Sequence, residues 1–173
     1  VYAQVTAGVV VYPDGAVLID TLPFPFETAE IKQFVETRLN TKVQYILFTH
    51  YHADHTNGAY LFPEAHVIGH QRCRAKLDTV GRAGMAKAKE QAPELANAEV
   101  VLPTLLLEEG PLLLHLGKKT LQLFATPGHS ADSLSVLLRE DRILFAGDMM
   151  MPLPHFVDGD AEVLARSMQG IPG

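Results

Sequence analysis

The segment Thr49-His50-Tyr51-His52-Ala53-Asp54-His55 crowds three imidazoles and a carboxylate together directly after the apolar run from Val43 to Phe48. Such a run reads as a buried strand, so the cluster falls where that strand emerges from its sheet. In extended backbone, residues two apart point to the same side, and His50 and His52 can therefore grip one ion. Asp54 and His55 follow after the chain turns and can reach a second ion beside the first. Imidazole and carboxylate donors without a thiolate suit catalytic zinc, or iron or manganese, better than a closed structural zinc site. A solvated histidine-rich loop is the bland alternative, and four ligand-type residues at this spacing on a strand end argue against it.

Two later loops have the same character. Thr126-Pro127-Gly128-His129 follows the strand-like run Leu121 to Ala125, and Gly147-Asp148 follows Ile143 to Ala146. Taken singly, His129 reads as a loop histidine and Asp148 as a strand-end cap. Taken with the first cluster they make a site, because three strand ends can converge at one edge of a sheet. The glycines allow the sharp turns and close approach this needs.

The elements that must position these residues are legible as well. Val5 to Tyr12 and Ala16 to Ile19 read as strands about a Pro13-Asp14-Gly15 turn. Pro23 and Pro25 break the chain. Glu27 to Leu39 carries a helical stripe of Ile31, Phe34, Val35 and Leu39, stopped by Asn40. A short helix after Gly58, a strand around His66 to Ile68, and two short surface helices between Arg72 and Ala96 follow, with Gly81 and Gly84 inside that stretch. Hairpins are expected about Gly117-Lys118-Lys119 and Glu140-Asp141. A last helix ends near Met168, capped by Asp158 or Asp160, with Gly170 past its end. The order implies α/β layers, sheet on sheet with helices outside, in a single domain spanning 1–173.

Composition bounds the function. With 47% hydrophobic residues the chain can build a full core. A net charge of -6 and the lack of any long basic run argue against a nucleic-acid platform. No apolar stretch approaches the roughly 18 residues of a membrane span; the leucine-rich segment from Leu102 to Leu116 is interrupted by prolines, glutamates and Gly110. The single cysteine, Cys73, rules out an internal disulfide framework. Val1 is not an initiator methionine and no signal segment follows it, so the compartment, cytoplasmic or periplasmic, stays open.

The His-x-His-x-Asp-His cluster, the Pro-Gly-His-Ser loop and the Phe-Ala-Gly-Asp loop, in this order, resemble the metallo-β-lactamase superfamily. The resemblance runs from about Gly8 to the chain end and includes Leu18-Ile19-Asp20-Thr21. It implies an αββα sandwich with a two-zinc site on one edge. His50, His52 and His129 would bind the first metal, Asp54 and His55 the second, and Asp148 would bridge them. Asp20 would support the metal loops from behind or cap a turn. Members usually supply one further histidine to the second metal from a loop well beyond the bridging aspartate. The residues after Asp148 hold only His155, restricted by Pro152 and Pro154, for which a pocket-wall or structural role is expected; the terminal Ile171-Pro172-Gly173 resembles the lead-in to that loop but comes too early. The chain thus reads as a truncated or excised domain with an intact first site and an under-ligated second one.

The implied activity is zinc-dependent hydrolysis of a small ester, thioester, lactone or β-lactam. A His-ligated zinc lowers the pKa of its bound water to about 7, giving hydroxide as nucleophile, and Asp54 orients it and shuttles its proton. A mononuclear iron dioxygenase acting on persulfides and an incomplete, non-catalytic fragment are the competing readings. A nuclease of the RNase Z type fits the acidic balance poorly. A sheet edge exposed by a clipped end would favour a homo-oligomer. Elsewhere, Cys73 between Arg72 and Arg74 reads as an ordinary cysteine, although cations can lower a thiol pKa. His66 and His70 need no ligand role, His115 belongs on an outer sheet face, and Ser130 and Asp132 are loop caps or partners of the ligands. Met149-Met150-Met151 is core filling or a wall of the substrate pocket.

Overall fold

The computed structural model describes residues 5–156 and 158–171; Val1, Pro172 and Gly173 lie outside them. Strands β1 (Gly8–Tyr12) and β2 (Gly15–Ile19) form the first hairpin, and β3 (Val43–Leu47), β4 (His66–His70) and β5 (Leu105–Leu107) complete a five-stranded sheet in the order β1-β2-β3-β4-β5. The β1–β2 pair is antiparallel and every later pair parallel. The second sheet is an antiparallel meander of β6 (Leu112–Leu116), β7 (Lys119–Ala125), β8 (Leu134–Leu138) and β9 (Ile143–Phe145).

Side-chain alternation explains the layering. Val17, Ile19, Leu47 and Ile68 point from the first sheet into a shared core with Leu121, Leu123, Leu134 and Val136 of the second. The intervening Leu18, Ile46 and Val67 point the other way, under helices, where Ile31 of α1 (Pro25–Thr37) and Cys73 of α3 (Gln71–Lys76) meet them. Sheet faces sheet with helices outside, as the sequence implies.

Several elements differ from expectation for physical reasons. Pro25 does not break the chain but opens α1, where its missing N–H costs nothing and its fixed φ suits the first turn. Phe34 is exposed and only Val35 of the expected stripe is fully buried, so α1 rests on a narrower face. Helix α1 ends at Thr37, short of the expected Leu39, and Asn40 beyond it takes φ +50. Between 71 and 91 the chain stays helical throughout: α3 passes through a π turn, Leu77–Gly81, into α4 (Arg82–Gln91), so neither glycine breaks the helix. Strand β5 was masked in the sequence by the prolines and glutamates around it. Asp160, not Asp158, caps α5 (Ala161–Gln169), its Oδ1 accepting from the N–H groups of Glu162 and Val163.

The topology sets the site. Because β2 and β3 run parallel, Asp20 and Thr49 leave the sheet at the same edge. The Leu134 N–H at the start of β8 donates to the Thr49 carbonyl (2.7 Å), bringing the second sheet to the same edge. Leu123→Ala, which empties space between the two sheets, is expected to cost about 2–5 kcal/mol. Urea denaturation should show a lower midpoint with an unchanged slope.

Candidate metal centre

His50 lies just past β3, and His52 precedes the single-turn helix α2 (Ala53–Thr56), which carries Asp54 and His55. His129 lies beyond β7, and Asp148 sits in a 3-10 turn, Gly147–Met150, beyond β9. Two of these loops depend on glycine. Gly128 has φ +145, and a Cβ there would stand 2.3 Å from the Leu164 Cα of α5. Gly147 has φ +52 and lies so close to Thr49 that a Cβ would come within 2.8 Å of its Oγ1.

The donor atoms fall into two groups. His50, His52 and His129 offer atoms that all lie within 4.8 Å of one another, and His50, His55 and Asp148 form a second such group. His50 Nε2 is 2.9 Å from His52 Nδ1, which is 2.9 Å from His129 Nε2. These separations are slightly tighter than the ~3.3 Å between donors around a tetrahedral zinc with ordinary Zn–N bonds. Asp148 faces both groups: Oδ1 is 3.2 Å from His55 Nε2, and Oδ2 is 3.6 Å from His129 Nε2. Asp54 stands at the rim, its Oδ2 3.7 Å from His55 Nε2, and enters neither group among the described residues.

The hydrogen bonds behind the imidazoles decide which nitrogens face inward. The Thr49 hydroxyl donates to Asp20 Oδ2 (2.7 Å), so its oxygen is left to accept from His50 Nδ1–H at 3.1 Å, which frees His50 Nε2. His129 Nδ1–H donates to the His155 carbonyl (2.7 Å), again leaving Nε2 with its lone pair inward. His55 Nδ1–H donates to Asp20 Oδ2 (2.8 Å), turning Nε2 towards Asp148 and Asp54. His52 is reversed, with Nδ1 inward and its outer Nε2 3.5 Å from Asp158 Oδ1. Among the described residues, His52 Nε2 is buried without a hydrogen-bond partner, and His55 Nε2 has only the Asp148 and Asp54 carboxylates beside it.

Charge follows the same division. Burial, with its histidine neighbours, holds His50 well below the ordinary histidine value. Burial and then His129 bring His52 down to about 4, outweighing Asp54 and Asp132. Both imidazoles are therefore neutral at pH 7, the form a metal ligand requires. Burial also opposes charge on His55, but Asp20 and Asp148 override it and push its pKa up to about 10. Burial works against the Asp148 carboxylate too, and its contacts with His55 outweigh this and lower its pKa. Two imidazoles held neutral, beside a carboxylate-lined position that favours positive charge, fit divalent-cation chemistry.

Of the residues singled out in sequence, five converge and Asp54 borders them. Asp20 proves to be support for the loops rather than a simple turn cap. Its Oδ1 accepts from the Thr49 N–H (2.8 Å), its Oδ2 from Thr49 and His55, and it is buried at φ +60. His155 contributes its backbone carbonyl while its side chain is exposed. His70 caps α3, accepting from Arg72 N–H, and Ser130 N–H donates to Ser133 within its own loop. For Cys73, burial and then the buried Asp132 carboxylate push the thiol pKa up, the reverse of what flanking arginines alone would do. Thr49 and Asp158 were not picked out as site residues. Thr49 carries no signal beyond its place before His50. Asp158 was taken for a helix cap, whereas it accepts from Tyr51 O–H (3.3 Å) and pairs with Lys76.

Fold and donor set together are those of an αββα metal-site protein. The chain belongs to the metallo-beta-lactamase superfamily, whose family model matches residues 2–168. It is 31% identical over 112 residues to a hydroxyacylglutathione hydrolase from Rhodopseudomonas palustris, covering 65% of this chain and 36% of that protein. It is 28% identical over 156 residues to a beta-lactamase-like protein 2 homolog from Caenorhabditis elegans, covering 90% of this chain and 47% of the other. This chain thus spans less than half the length of either relative. A metallo-beta-lactamase from Pontibacter korlensis superposes with a TM-score of 0.74 at 22% identity, over 93% of this chain and 70% of that one. Among the described residues no helix is long and apolar enough to cross a membrane.

Asp20→Asn keeps the shape but puts an amide where one oxygen faces Thr49 N–H and the other accepts from two donors. Cobalt(II) affinity, measured by competition with a chelator, is expected to fall about 10- to 100-fold. Gly128→Ala is expected to lower the melting temperature and the affinity together, because the His129 loop can no longer lie against α5.

Proposed function

We propose that this chain carries the metal centre of a zinc-dependent hydrolase acting on a small ester, thioester, lactone or β-lactam, with thioesters foremost. The observation that carries this reading is the inward set of lone pairs on His50 Nε2, His52 Nδ1 and His129 Nε2, with Asp148 divided between this group and His55. The likeness to a hydroxyacylglutathione hydrolase puts thioesters first. Bound zinc would supply a Lewis acid and would lower the pKa of a coordinated water to about 7.

The chain's own residues do the rest. His50, His52 and His129 hold the first position; Thr49 fixes His50 from behind and the His155 carbonyl fixes His129. His55, Asp148 and Asp54 serve the second, which has fewer imidazoles and is correspondingly weaker. Asp54, exposed over about a third of its side chain, can accept a proton at Oδ2 and pass it to solvent or to a departing thiolate. Small-molecule substrates suit the cavity of about 330 Å³ beside Asp148 and His55, where Met150, Met151 and Pro152 form one wall.

Metal-stripped protein should not hydrolyse a hydroxyacylglutathione thioester, and zinc should restore the rate. Asp54→Ala is expected to lower kcat by about 10²- to 10⁴-fold while elemental analysis still finds the first ion. Full activity in the stripped protein, or an unchanged rate in Asp54→Ala, would contradict the assignment. Iron retained in place of zinc would move it to oxygenase chemistry.

A further inference from the structure

A second cavity, of about 230 Å³, borders the centre at His52, between the metal loop and the helical arm formed by α3, the π turn and α4. Tyr51, His52 and Ala53 line one side, and Leu77, Gly84 and Met85 face them. No Asp, Glu, Lys or Arg lines it among the described residues, whereas the first cavity contains Asp20, His55 and Asp148. It shares His52 with the three-imidazole group, so a molecule seated in it abuts the centre.

The arm has features that packing does not account for. Gly84 lies inside α4, where glycine is disfavoured relative to alanine. Its φ is not positive, and a Cβ built there would meet nothing within 4 Å. Neither backbone conformation nor crowding requires glycine, and at this lining position it contributes no side chain to the cavity. The π turn Leu77–Gly81 borders the same space, and such turns are frequent at functional sites. Val80, another lining residue, stays 58% exposed rather than closing the gap.

We propose that this cavity is the subsite for an aliphatic chain of the substrate, so that the substrate class is a medium-chain acyl ester or thioester. This assignment rests on the hydrolase reading above. The volume falls below the roughly 300 Å³ at which pockets for drug-sized ligands begin, which suits a single chain. Each methylene buried there should favour binding about fourfold.

The test has two arms, so that failure of the subsite and failure of the hydrolase reading are distinguishable. In the first, kcat/KM of the zinc-loaded protein is measured for acetyl, hexanoyl and decanoyl thioesters. The decanoyl-to-acetyl ratio should be high and should collapse at least tenfold in Gly84→Leu. In the second, hexanol is titrated into metal-free protein and the methyl resonances of Leu77, Val80 and Met85 are followed by NMR. Saturable shifts at these methyls, lost in Gly84→Leu, support the subsite whether or not any ester is hydrolysed. Ala88→Leu, one turn further along the same wall, serves if Gly84→Leu does not fold. Absence of hexanol shifts at these methyls, or a chain-length profile that neither variant alters, would overturn the proposal.

Discussion

Asp20 is the constraint on which the rest of the centre depends. A buried carboxylate is costly unless its oxygens are satisfied, and here one oxygen takes the Thr49 N–H while the other takes the Thr49 hydroxyl and His55 Nδ1–H. These bonds join the end of β2 to the end of β3 and select the orientation of His55. Through the Thr49 hydroxyl they also select that of His50. The same threonine carbonyl receives Leu134 N–H from the second sheet. One side chain thus transmits the register of two parallel strands to the donor atoms, which explains why an aspartate occupies a left-handed backbone position.

The centre is held from several directions. His129 is oriented by the carbonyl of His155, in the segment between β9 and α5, and its loop lies against α5 through Gly128. Asp148 is delivered by β9 through a glycine that tolerates the nearness of Thr49. Both sheets and the segments after β9 must therefore be in place before the donors converge, making the site a product of the folded sandwich rather than of the His-rich loop alone. The two cavities beside the centre offer different surroundings, one lined by carboxylates and methionines and the other by apolar groups. That division suits a reactive group with an apolar arm on one side and a polar leaving portion on the other.

Much of this was legible in the sequence because the donors sit at strand ends and carry their spacing openly. His50, His52 and His55 follow one apolar run, and His129 and Asp148 follow two others with a glycine before each. The two-sheet layering was legible from the order of strands and helices along the chain. What escaped was set by three-dimensional proximity. The carbonyl of His155 has no side-chain signature, Thr49 is an unremarkable residue until Asp20 claims its proton, and Asp158 looked like a cap because Asp160 is two residues away. Phe34 continued the helical period of α1 yet stayed exposed, since none of the described residues covers it. Helical continuity through Gly81 and Gly84 was hidden because glycine reads as a breaker when its packing context is unseen.

In the proposed hydrolase, Asp148 joins the two donor groups into a single two-ion centre. Electron paramagnetic resonance of the protein saturated with manganese(II) tests it most directly. Two ions per chain with exchange-coupled spectra are expected, and uncoupled or lost second-ion signals in Asp148→Ala. A single ion, or two magnetically isolated ions at saturation, would contradict it.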